Sequence, residues 1–337
     1  MDKKEIKKDL NRLYICFSFV VILMIIISIL YSLVLGIVIS PSIYRNLDLI
    51  ETTFGDRSPT NAELLELLFG VEIADISIQL AQVVVSIATF SIAFLIYYFI
   101  AIQGKHSIKN YCLIKKPNKK GWISDIFICY FIMFAVNYFQ SVFFEFLGKV
   151  GIKIDDVPID APKTLIGTII SFIALCVLPA VLEELVFRGS AFGALKKYGG
   201  FAFIFISSIS FSLMHSRIAQ FPFALAGGII ISYLCLKYNS IIVCMIFHFT
   251  SNFLSFIQLV LNERGPFLSK IGMMIPFLFA VTGLLFFFVK CNKGFDLKDE
   301  GKGLKPSEIA KIMLTSGGFY GFLICCIIST AVNKIWA

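Results

Sequence analysis

"LYICFSFVVILMIIISILYSLVLGIVIS", residues 13–40, is an apolar run with no charge in it. A transmembrane helix needs about 20 such residues, so this stretch reads as a membrane span. It is too long for a signal-peptide core and lacks a small-residue cleavage pattern, which makes it a retained helix. Two more runs are equally plain, "SIATFSIAFLIYYFIAI" (residues 86–102) and "IGMMIPFLFAVTGLLFFFV" (residues 271–289). With 58% apolar and 15% charged residues over 337 positions, the chain cannot hide its apolar surface in one soluble domain. The expected fold is an all-α polytopic membrane protein of about eight to nine transmembrane helices. Nine candidate spans begin near Leu13, Ile73, Trp122, Leu165, Phe201, Phe221, Ile241, Ile271 and Thr315. Tight turns are expected near Gly199 and Asn239. Residues 41–72 are the longest polar stretch. They contain "NAELLELLFG", whose leucines at helical spacing suggest a short helix on the membrane surface.

The net charge of +8 sits in loops between spans, which argues for cytoplasmic loops and against nucleic acid as a partner. With the N-terminus inside, inner segments hold 21 of the 30 Lys and Arg residues. The outer loops gather acids such as Glu51, Glu63, Glu66, Asp155, Asp156 and Asp160. The N-terminus is therefore expected in the cytoplasm and the C-terminus outside. The nine cysteines form no CxxC and no Cys/His cluster, and read as small apolar residues within helices. A composition rich in Lys, Ile, Asn and Phe hints at a bacterial source and so a bacterial cell membrane.

Against that apolar background, "LEELVFRGS" (residues 182–190) is expensive. A charged residue at the centre of a membrane helix costs about 2.5–3.5 kcal/mol by insertion scales, and such residues are functional candidates. Of the three histidines, His106 lies in a basic loop and reads as solvated; His215 and His248 fall within apolar segments. Glu183 and His215 each stand 16 residues from Gly199, so two helices sharing a turn there bring them to similar depth. His248 lies only nine residues past Asn239, a mismatch that closes if the first hairpin protrudes into the cytoplasm. The site would then sit in the inner half of the membrane.

Helix faces divide the work. Glu184 and Arg188 are four apart and meet as a buried structural ion pair. Glu183 points about 100° away, without a local partner, and suits a general base. His248 and Asn252, also four apart, project together, as paired donors to an oxyanion would. Pro179, four residues before Glu183, frees a carbonyl and kinks its helix beside the carboxylates. Gly227 and Gly228 allow close helix contact.

Three motifs occur in order: Glu183-Glu184-x-x-x-Arg188, Phe211-x-x-x-His215 and His248-x-x-x-Asn252. In this the chain resembles the CAAX-protease and bacteriocin-processing (CPBP, or ABI) intramembrane proteases, over about residues 165–256. The resemblance implies a catalytic core built from the fourth, fifth and seventh spans. Residues 122–262 would form that core, between N-terminal helices and loops (1–121) and C-terminal helices (263–337). It implies an intramembrane endopeptidase acting on a membrane-associated peptide or protein. Glu183, helped by His215, would activate water, and His248 and Asn252 would hold the oxyanion. No cofactor is required in that scheme. The alternative is zinc on Glu183, His215 and His248, although the chain has no compact HExxH. A non-catalytic scaffold or bacteriocin self-immunity factor of the same fold is the competing function. A proton-coupled transporter is disfavoured because no internal repeat is evident.

Overall fold

Leu10, Leu13, Tyr14, Phe17 and Val20 recur at three- and four-residue spacing, and all are buried in the first half of α1 (Lys3–Arg45). In the computed structural model, which describes residues 3–99, 107–154, 160–291 and 303–336, all regular structure is helical. His106, Asp155, Asp156 and the basic tract 292–302 lie outside the described residues.

The C-terminal end of α1 meets short helices. α2 (Leu47–Phe54) leads to α3 (Asn61–Phe69), the expected helix in the long polar stretch. Thr60 opens α3 with a capping box: its hydroxyl accepts from the Glu63 N–H and the Glu63 carboxylate accepts from the Thr60 N–H. Arg57 hydrogen-bonds the same carboxylate and holds its pKa down to about 2. Leu65 then packs with Leu35 and Ile39 of α1 and Ala74 of α4 (Val71–Tyr97).

A single-turn helix, α5 (Ile108–Tyr111), precedes α6 (Trp122–Lys149). The fourth crossing is not one regular helix. It runs through α7 (Leu165–Phe172), a π-helical stretch at Ile173–Val177, α8 (Leu178–Glu184), a second π-helical stretch at Leu185–Ser190, and α9 (Ala191–Leu195). Thr164 caps α7, while the buried Asp75 of α4 accepts from the Lys163 and Thr164 N–H groups and the Thr164 hydroxyl.

The turn at Gly199 is as tight as expected, with φ +109° and the α-carbon packed on Gly303. It leads into α10 (Gly200–Met214), then α11 (Phe221–Tyr238); the turn at Asn239, φ +47°, leads into α12 (Ile241–Asn262). α10 departs from the expected full span. Its 15 residues rise only about 22 Å, less than the ~30 Å hydrocarbon core. It ends at His215, and the α10–α11 hairpin turns round within residues 215–220. α13 (Pro266–Cys291) packs against α6. The expected span near Thr315 is a bent pair, α14 (Pro306–Leu314) and α15 (Gly317–Trp336), at 69° to each other. Asn11 of α1 fixes the bend, its Oδ1 accepting from the Ser316 hydroxyl at 2.6 Å and the Gly318 N–H at 2.9 Å.

Among the described residues seven helical runs are long and apolar enough to cross a membrane, or eight with the bent pair. The protein is an integral membrane protein of the all-α class. A chain of aromatic contacts runs through its main core beside the fourth crossing. Phe17 stacks on Phe187 at 4.7 Å, and Phe187 meets Phe211 edge-on at 5.6 Å.

Candidate active site

Glu184 and Arg188 lie one turn apart on the widened helix and are both fully buried, with Arg188 Nη1 2.9 Å from Glu184 Oε1. The guanidinium has two further contacts: its carbon is 4.1 Å from the centre of the Phe211 ring, and Nη2 reaches the Gly228 carbonyl at 3.5 Å. That second contact depends on close approach of α11. A β-carbon on Gly228 would come within 2.9 Å of the Ser208 backbone.

Glu184 Oε1 also contacts His248 Nδ1 at 2.7 Å. A carboxylate accepts, so Nδ1 carries the proton and Nε2 points onward. Nε2 lies 4.0 Å from Glu183 Oε2. That is too long for a hydrogen bond and short enough for one bridging water. His215 is anchored in the same manner. Its Nδ1 lies 2.8 Å from the Phe211 carbonyl, which can only accept, leaving Nε2 as an acceptor. Phe211 is the wedge between these groups. Its ring stands edge-to-face with His215 at 4.8 Å and with His248 at 5.9 Å. The spacing of Phe211 and His215 puts ring and imidazole on one face of α10, which is the physical content of that motif.

Asn252 takes a different partner from the expected one. Its Nδ2 donates to the Leu175 carbonyl at 2.9 Å. Leu175 stands four residues before Pro179, which has no N–H to offer it. The carbonyl that proline frees is thus satisfied from α12, across the first π-helical stretch. An oxyanion contact by Asn252 would have to use its second N–H. Replacing Asn252 with Leu should cost about 1–3 kcal/mol by stranding that carbonyl. In a Pro179→Ala background, where the backbone regains a donor, the cost should shrink. Thermal melts of the four purified proteins test this; equal costs in both backgrounds would contradict the latch.

Glu183, His215, His248 and Asn252 all line one cavity of about 570 Å³, together with Pro179, Phe211 and Arg217. The zinc alternative fits this arrangement only in part. Both imidazoles present Nε2 with Nδ1 held by an acceptor, as metal-ligating histidines do. Yet among the described residues no three His, Cys, Asp or Glu converge closely enough to hold an ion. The donor set as placed does not form a metal site.

The sequence reading did not foresee the shared grip of Glu184 on Arg188 and His248, the Phe211 wedge, or the two π-helical stretches. Pro179 was the one sequence signal for irregular winding here. Such π-helical segments favour functional sites because they rotate side chains away from helical register.

Fold and site together define a polytopic membrane protein with a buried carboxylate–histidine centre. Residues 165–254 match the family model described as type II CAAX prenyl endopeptidase Rce1-like, a likeness consistent with the CPBP/CAAX proteases. No curated protein and no solved structure matched the chain.

Proposed function

We propose that the chain is an intramembrane endopeptidase that hydrolyses a membrane-associated peptide or protein with water activated by Glu183. The observation that carries this reading is the unequal fate of two adjacent carboxylates. Glu184 is neutralised by Arg188, whereas Glu183 lines the cavity with the His248 imidazole 4.0 Å away. Glu183 takes a proton from water as the water oxygen bonds to the scissile carbonyl carbon, and His215 Nε2 accepts a hydrogen bond from the same water. Negative charge gathers on the former carbonyl oxygen. His248 donates to it from Nε2 once that nitrogen has taken a proton from water, while Nδ1–H stays on the Glu184 carboxylate. The carbon–nitrogen bond then breaks and the proton held by Glu183 passes to the leaving amine.

The test is cleavage by purified protein in lipid vesicles, with peptides that carry or lack a C-terminal prenylcysteine and mass spectrometry of the products. Internal cleavage by wild type and none by Glu183→Ala supports the reading. No product from either protein favours a non-catalytic scaffold, and equal product from both removes Glu183 from the reaction. A second prediction concerns metal. Chelator-treated protein should keep full activity with substoichiometric metal by mass spectrometry. Activity lost on chelation and restored by one zinc per chain would instead make the two histidines ligands.

A further inference from the structure

The cavity is one-sided along the bundle. On α12 its lining runs from Phe247 and His248 to Leu259, three residues short of the helix end, and includes nothing nearer Ile241. On α11 it takes Phe223, Ala224, Gly227 and Ile231, the half that begins at Phe221. On the fourth crossing it takes Leu175, Pro179 and Glu183, and nothing beyond. Past Glu183 the way is filled by the buried Glu184–Arg188 pair and the Phe187–Phe211 packing.

The closed end is the basic end. Lys197 binds Glu5 and Asp9 at 2.7 and 2.8 Å, and Lys237 and Lys290 both bind Asp125 at 2.5 Å. Backbone bonds from Asn118 to Tyr238, Ile241 to Leu113 and Leu304 to Tyr198 hold the same loops together. The open end lies at the other pole. Gln140, 18 residues into α6, donates to Ala219 in the 215–220 turn, which places that turn about 27 Å along α6 from Trp122. Beyond it lie the ion pairs of Glu63 with Arg57 and Glu66 with Lys163.

The positive-inside rule assigns the Lys/Arg-rich pole to the cytoplasm. We infer that the active-site cavity opens to the extracytoplasmic face, so that the enzyme takes polypeptide segments presented from outside the membrane, such as a translocated peptide or an outward-facing membrane-segment end. The word substrate rests on the proposed function; the sidedness of the cavity does not.

Membrane-impermeant maleimide labelling in intact cells tests this without any activity. Single cysteines replace Ser255 and Leu259 in the cavity, the exposed Phe267 at the same pole, and the exposed Lys116 at the basic pole. Wild type gives the background; seven of its nine cysteines are buried and Cys325 is half-buried. The Ser255, Leu259 and Phe267 variants should label several-fold above wild type in intact cells, and the Lys116 variant only after permeabilisation. Labelling of Lys116→Cys alone in intact cells overturns the inference. So does labelling of Phe267→Cys with both cavity positions silent, even in detergent. If sidedness holds and no peptide is cleaved, the proteolytic reading fails alone.

Discussion

Purified Arg188→Ala protein is expected to lose about 3–5 kcal/mol of stability, at most, because it strands a fully buried Glu184 carboxylate. The membrane setting lowers that figure where water or headgroups reach the charge. The loss also spreads: Glu184 positions His248 through Nδ1, and the guanidinium packs on Phe211. A double variant, Glu184→Gln with Arg188→Met, should recover most of the loss. It removes both charges and keeps an acceptor for His248 Nδ1. Thermal unfolding of the wild type, both single variants and the double gives the coupling directly. Additive losses, with no recovery in the double, would contradict a paired charge.

The second large effect is catalytic. Glu183→Gln changes one oxygen to nitrogen at a side chain that makes no close ion pair, so the fold should melt within a degree or two of wild type. Turnover should fall by about 10²–10⁴-fold or more, the usual loss when a positioned general base goes. The two variants should therefore diverge, one unstable and the other stable but inactive. If Arg188→Ala is as thermostable as wild type while Glu183→Gln unfolds, the roles of the two glutamates are exchanged.

The membrane class and most crossings were legible in the sequence because about 20 apolar residues in a row have few other physical explanations. The pairing of Glu184 with Arg188 was legible from four-residue spacing, which regular and mildly widened helices both satisfy. What escaped depends on departures from regularity. α10 was expected to cross fully, yet its apolar run ends in the 215–220 turn, and residue hydropathy does not mark where a hairpin reverses. The depth mismatch of His248 assumed one rise per residue from Glu183 to Gly199. π-helical winding at Leu185–Ser190 puts more residues into each turn and shortens that path, but α10 is regular up to Met214, so the winding accounts for only a small part of the mismatch. Asn252 was paired with His248 by spacing alone. The carbonyl released by Pro179, 73 positions earlier, competes for it and lies on another helix.

The central claim is that Glu183 delivers water rather than attacking the peptide itself. A single turnover in ¹⁸O-labelled water, with enzyme in excess over a cleaved peptide, tests it most directly. The account predicts one ¹⁸O in the new product carboxylate and none in the peptide fragment containing Glu183. An unlabelled product carboxylate, with ¹⁸O appearing in Glu183, would mean a covalent acyl intermediate on that residue and would contradict it.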